Sequence, residues 1–163
     1  MLVRELCPED HDAALTLNNA AAPAVNPHTP ESWRDLLAMA DRSWVVEDAG
    51  VLCGLLVTFG PGSAYESSNY RWIDERYGEY RYVDRIIIAP SHKRRGLGLE
   101  LYGILERHAE LVNASRLLCE VNVEPPNPQS IDFHLSSGWR PVEDRRHGPG
   151  KVVRYFERAV GTE

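Results

Sequence analysis

The chain is short of cysteine, of net positive charge and of long apolar runs. Its three cysteines, Cys7, Cys53 and Cys119, are scattered over 163 residues. They are too few for a disulfide framework and too dispersed for a zinc cluster, so no metal site is expected. An odd cysteine count, with no apolar leader in MLVRELCPED, points to a reducing, cytoplasmic setting. The net charge of −6 argues against a general nucleic-acid or anionic-membrane partner, either of which needs a basic face. No window approaches the roughly 18–20 apolar residues of a membrane span. Internal repeats, low-complexity tracts and Pro/Gly-rich linkers are also missing. What remains is an ordinary globular balance, 43% hydrophobic and 26% charged, over a length that suits one domain spanning residues 1–163.

Periodicity and punctuation divide the chain into alternating elements. Leu2 to Cys7 reads as a strand, and Pro8-Glu9-Asp10 opens a helix running to about Asn19. Ala20 to Thr29 is loop, and Thr29-Pro30 caps a second helix with Trp33, Leu36, Leu37 and Met39 on its apolar face. Ser43–Glu47 and Val51–Phe59 form a hairpin around Asp48-Ala49-Gly50. Gly60 to Gly78 is a long aromatic and polar stretch, of the kind that is functional or carries a short helix. Tyr80 to Ala89 is a strand whose Ile86-Ile87-Ile88 end is apolar on both faces, as in a central strand. A helix follows Gly98, with Leu97, Leu101, Ile104, Leu105, His108 and Val112 on one side. Arg116–Val123 is a strand, Asn127-Pro128 starts a helix ending at Gly138, and a final hairpin joins 139–144 to 151–159. The order predicts an α/β fold, a mixed sheet covered by helices.

Against the acidic background, Lys93-Arg94-Arg95-Gly96-Leu97-Gly98 is a local exception. Glycines let backbone approach a ligand closely, and the first N–H groups of a helix have no intrahelical partners. The helix dipole and the basic side chains add positive charge. Strand, basic glycine loop and helix together suit an anion such as a pyrophosphate. The plainer reading is a basic loop with glycine for tight packing. Two nucleotide motifs fail on residues. A Walker loop needs Lys-Ser/Thr after its last glycine, which Gly98 lacks. A dinucleotide fingerprint needs a third small residue where Leu101 stands.

The segment resembles motif A of the GNAT N-acetyltransferase superfamily, [QR]-x-x-G-x-[GA], with Lys93 at the usual Gln/Arg position. RLLCEVNV followed by NPQSIDFHLSSGW resembles the superfamily's second motif, with Trp139 at the aromatic place. More narrowly, SSNYRWIDERYGEYRYVDRIII, CEVNVEPPNPQS and FHLSSGW resemble a poorly characterised GNAT subgroup. The resemblance covers nearly the whole chain. It implies the GNAT fold, a central twisted mixed sheet with helices on both faces. It implies acetyl-CoA as cofactor, released as CoA, with Lys93, Arg94, Arg95, Gly96, Leu97, Gly98 and Leu99 around its pyrophosphate. In the family two strands splay to take the pantetheine arm, which implicates backbone at Ile86, Ile87 and Ile88, together with Asn127 and Phe133. Core packing alone also explains the isoleucines, and a simple N-cap explains Asn127.

Acetyl transfer to an amine needs orientation, an oxyanion donor, a base for the ammonium and an acid for the sulfur. Many members place a Tyr acid seven residues after the motif's Asn. That position is His134 here, a departure. Its ordinary pKa of about 6.5 suits proton donation, although a His packed beside Phe133 is the alternative. Glu120 and Asp84 are base candidates, because a carboxylate in an apolar strand needs a partner or a cavity. Either could instead be a structural ion pair. Arg85 follows Asp84 but points to the opposite strand face, so the two are not expected to pair by default. The acceptor side falls to the loops at Asn18–Asn26 and Tyr65–Trp72. In the second loop, Tyr65, Glu66, Asn69, Tyr70 and Trp72 mix aromatic and polar groups as an amine pocket would. Tyr70 and Trp72 could equally pin that loop to the core. The expected function is acetyl-CoA-dependent N-acetylation of a small amine, amino acid or peptide N-terminus. The rival is a noncatalytic acyl-CoA-binding or regulatory module. Family members often dimerise; no stretch here announces an interface, and the final hairpin is one candidate to join a homodimer.

Overall fold

In a computed structural model of the chain, residues 1–161 are described. The strands are β1 (Leu2–Glu5), β2 (Ser43–Asp48), β3 (Val51–Phe59), β4 (Tyr80–Ile88), β5 (Arg116–Glu124), β6 (Arg140–Arg146) and β7 (Val152–Ala159). The helices are α1 (His11–Ala20), α2 (Pro30–Met39), α3 (Ser68–Asp74), α4 (Leu97–Leu111) and α5 (Pro128–Ser136). Short 3₁₀ turns precede α1 at Pro8–Asp10 and follow β4 at Pro90–His92. The punctuation residues act as their chemistry dictates. Thr29 accepts from Ser32 N at 3.1 Å and Ser32 Oγ accepts from Thr29 N at 3.0 Å, a reciprocal cap for α2. Gly138 takes φ +87°, the left-handed conformation that ends α5.

Contacts divide the chain into two compact units. One comprises Met1–Phe59 and Asp84–Ile104; the other comprises Gly60–Val83 and Leu105 onward. In the first unit the strand order is β1-β2-β3-β4, with β1–β2 and β2–β3 antiparallel. Val45, Val46, Leu55, Leu56 and Val57 are fully buried there, as are Ala14 of α1 and, nearly so, Trp33 of α2. Gly54 is required by close approach, because a Cβ would lie 2.8 Å from Val46 Cγ2 across the β2–β3 ladder.

In the second unit the order is β4-β5-β7-β6. Tyr80–Tyr82 pairs in parallel with Arg116–Leu118, while β5–β7 and β6–β7 are antiparallel. Counting β4 once gives a mixed seven-stranded sheet, as the sequence predicts. Successive residues on β7 separate two faces. Trp72 of α3 stacks on Tyr155 at 4.1 Å between ring centroids, and His134 of α5 stacks on Phe156 at 5.7 Å. Helices α3 and α5 therefore cover opposite faces of this unit's strands.

Candidate active site

The basic glycine loop, in the first unit, leaves β4 through Ala89 and turns at Arg94 and Gly96, both with positive φ (64° and 77°). Lys93, Arg94, Arg95 and Gly96 are exposed, whereas Leu97 is buried and anchors the start of α4. The first intrahelical bond runs from Glu100 N to Gly96 O at 3.0 Å. The N–H groups of Leu97, Gly98 and Leu99 precede that bond and lie at the positive end of the dipole. A Cβ on Gly96 would meet nothing within 4 Å, so the approach to this turn is open. These features fit an anionic cofactor group.

The loop has a support that sequence reasoning missed. His92 Nε2 lies 2.8 Å from Asp48 Oδ2 in the β2–β3 turn, and Ser91 Oγ lies 2.7 Å from His92 Nδ1. The His92 contact holds the Asp48 carboxyl below its ordinary range, with a smaller contribution from Arg95. The only advance signal was a histidine one residue before the basic run.

Before that loop, β4 carries Asp84 and the three isoleucines. Ile87 is buried, and Ile86 and Ile88 are half-buried. Asp84 corrects an expectation, because Asp84 Oδ2 accepts from Arg85 Nε at 2.7 Å and the side chains are only 6% and 5% exposed. Alternation sets where Cβ points, but a guanidinium on a three-carbon stem can curl back to its neighbour. Arg85 is held there by Asn18 Oδ1 at 2.8 Å and Asn26 O at 3.3 Å. Its guanidinium also lies 5.8 Å from the Trp33 ring centroid. The first candidate acceptor loop, Asn18–Asn26, is thereby tied into a structural network. Asn18 is fully buried and donates to Asn26 O at 3.1 Å, and Asn19 brackets the backbone of His28.

The other candidates belong to the second unit. Glu120 pairs across the strands with Tyr155, which places both on the α3 face. Tyr82, fully buried, donates its phenol to Glu120 Oε1 at 2.5 Å. The Tyr70 ring lies against Tyr82 and Tyr65, each at 5.6 Å between centroids. Tyr70 OH donates to Gly60 O at 2.6 Å and accepts from Ser63 N at 3.0 Å. Tyr70 is fully buried and Trp72 is 7% exposed, clamped between Tyr155 and the Arg76 guanidinium 4.3 Å away. This corrects the expectation that these two rings line an acceptor pocket. Their apolar bodies pin the loop to the core instead. Tyr65 and Asn69 remain half-buried and Glu66 is exposed. Asn69 Oδ1 is buried without a hydrogen-bond partner, and its backbone carbonyl accepts from Tyr155 OH at 3.0 Å. Tyr82 and Tyr155 are the neighbours of the candidate Glu120 that sequence reading missed. Strand registers reveal them; residue types alone do not.

Asn127 caps α5, accepting from Ser130 N at 3.4 Å, and Phe133 is half-buried. His134 is 2% exposed, and its Nδ1 donates to Ser130 O at 2.7 Å, a carbonyl that can only accept. Its ring contacts Trp139 and Phe156 edge-on and stacked, at 5.3 and 5.7 Å. Burial pushes its pKa below the ordinary 6.5, with the Ser130 bond opposing more weakly. Burial thus disfavours the charged imidazole, the Ser130 carbonyl calls for a proton on Nδ1, and the ring lies on the strand face opposite Glu120. A group that donates a proton near neutral pH is helped by the opposite tendency, so burial and packing favour the packed alternative for His134.

Among the described residues no helix is long and apolar enough to cross a membrane. No curated protein matches the sequence. Solved structures match over nearly the full length. The ribosomal-protein-S18-alanine N-acetyltransferase of Escherichia coli superposes with TM-score 0.74 at 16% identity, covering 99% of this chain and 95% of that one. The ribosomal-protein-alanine N-acetyltransferase of Brucella melitensis gives 0.74 at 18% identity, covering 98% and 100%. A Salmonella typhimurium protein solved with its cofactor acetyl-CoA gives 0.71 at 16% identity, covering 100% and 95%. At such identities these neighbours establish the fold. The model of the acetyltransferase (GNAT) family matches residues 11–139. The chain therefore belongs to the GNAT acetyltransferase family, whose members carry out acetylation with acetyl-CoA.

Proposed function

We propose that the chain is an N-acetyltransferase acting on a small amine, an amino acid or a peptide N-terminus. The observation that carries this reading is Glu120, a carboxylate that follows the buried Leu117-Leu118-Cys119 run of β5 and is set among the tyrosines of the α3 face. A carboxylate beside aromatic rings attracts an ammonium and can take its proton. Acetyl-CoA supplies an acetyl thioester when bound. The backbone N–H groups of Leu97, Gly98 and Leu99, with Lys93, Arg94 and Arg95, suit its pyrophosphate. Backbone at Ile86–Ile88, with Asn127 and Phe133, is assigned to the rest of the cofactor arm. Tyr65, Glu66 and Asn69 are assigned to the acceptor, with Tyr70 and Trp72 as the scaffold beneath them. His134 packs α5 against Phe156, and Asp84 anchors Arg85. Neither moves a proton in this reading.

The test is thiol release from acetyl-CoA with a panel of amines, amino acids and short peptides. Turnover is expected with at least one class. Glu120→Gln should lower kcat/KM by about 10²–10⁴-fold, the range for a lost general base, with cofactor affinity unchanged. The neutral, packed His134 favours one rival, a noncatalytic acyl-CoA-binding module. Tight CoA binding with no turnover on any amine would establish that rival.

A further inference from the structure

We propose that Tyr82 is a positioning residue for Glu120, fixing the carboxylate's orientation and its readiness to accept a proton. The inference rests on the reading of Glu120 as base and goes beyond it. Tyr82 is fully buried in β4, and its hydroxyl donates to Glu120 Oε1 at 2.5 Å. A phenol aimed at one carboxylate oxygen removes that oxygen's freedom to rotate and stabilises the ionised form. The ring itself is immobilised. It packs on Tyr70, whose hydroxyl is bonded to Gly60 O and Ser63 N at the root of the long loop. Loop, Tyr70, Tyr82 and Glu120 thus form a continuous chain of contacts, Tyr65 lying beyond Tyr70 on the loop. Other charged or titratable groups surround the carboxylate's face. Tyr155 lies opposite on β7, Glu143 pairs with Tyr155 from β6, and Arg145, Arg76 and His147 are grouped near that tyrosine. Tyr82 donates directly to the carboxylate, so its removal acts on Glu120 without an intermediary.

The experiment titrates the Glu120 side-chain carboxyl by ¹³C NMR in the chain without ligands, with Glu120→Gln assigning the resonance. Tyr82→Phe should raise the midpoint by about one pH unit, since a lost charge-assisted hydrogen bond is worth about that much. Placing 3-fluorotyrosine at 82 keeps the ring's size and strengthens the donor, so the midpoint should fall. This second variant serves if Tyr82→Phe does not fold. In thiol-release assays, the acidic limb of the kcat/KM profile should move with the NMR midpoint while KM for acetyl-CoA stays constant. A midpoint that moves with neither variant overturns the positioning role and leaves Glu120 as base. Full activity in Glu120→Gln overturns the base reading and the positioning role together.

Discussion

Asp84 and Glu120 are both carboxylates set in largely apolar strands, and the two regions treat them in opposite ways. In the first unit, Asp84 meets a guanidinium at 2.7 Å, and that guanidinium is itself tied to Asn18, Asn26 and Trp33. In the second unit, Glu120 meets a neutral phenol on a face crowded with aromatic rings. A full charge partner makes a carboxylate structural, because protonating it would leave the cation buried and unpaired. A neutral partner orients the carboxylate without neutralising it, and the group can still take up a proton. The same functional group in the same kind of strand is therefore a brace in one region and a candidate base in the other.

The largest test of that contrast is Arg85→Met. It would leave the Asp84 carboxylate buried without its cation, and a loss of about 3–5 kcal/mol is expected in urea unfolding at neutral pH. The double variant Asp84→Asn/Arg85→Met should recover much of it, since no buried charge remains. If Arg85→Met cost no more than a surface substitution, Asp84 would be no brace, and the distinction from Glu120 would collapse.

A middle-sized effect sharpens a second side of the comparison, backbone against side chain. In the proposed function the basic loop holds the cofactor through N–H groups, so that assignment is exposed to any substitution that fills or recharges the turn. Gly98→Glu puts a carboxylate into the first turn of α4, where it complements the helix dipole. It also repels a phosphate at the same N–H groups. Acetyl-CoA affinity measured by calorimetry should fall by about 100-fold, equivalent to about 2.7 kcal/mol. Unchanged affinity would remove the cofactor assignment from this loop.

This division also explains what the sequence made legible. Local devices could be read directly, because they depend on the order of neighbouring residues. The Thr29 cap, the turn at Asp48-Ala49-Gly50, the glycine loop and the Asn127-Pro128 helix start all appear where the sequence places them. So does the β3 strand, and the long aromatic stretch carries the short helix α3. Non-local pairings could not be read. The Tyr82–Glu120 bond joins residues 38 positions apart, and Arg85 reaches Asn18 over 67. The surroundings of His134 were hidden for a related reason. Its residue type and its place in the motif are local, but its packing against Trp139 and Phe156 and the burial that lowers its pKa are not.

The smallest expected effect concerns His134, and its value lies in its sign. Tyr82 and Glu120 form one bonded pair on the α3 face, whereas His134 sits on the other face with its proton committed to Ser130 O. A packed neutral imidazole predicts that His134→Phe keeps kcat within about threefold, against the 10²–10⁴-fold loss expected for a general acid. Stability at pH 8 should fall by only about 1 kcal/mol, the worth of one hydrogen bond in a site that accepts an aromatic ring. The pH dependence is the sharper readout. Burial holds the folded pKa below the ordinary 6.5. Below that value the unfolded chain therefore binds the proton more readily, and stability falls as pH drops. Above it, His134 is neutral in both states and contributes no slope. His28 and His147, whose pKa values are lowered mainly by burial as well, keep their share of this acid sensitivity in the variant. Urea melts at pH 8 and pH 5 should therefore show a smaller stability gap for His134→Phe than for the parent. An unchanged gap together with a large loss of kcat would return His134 to the proton-handling side and undo the separation of the two faces.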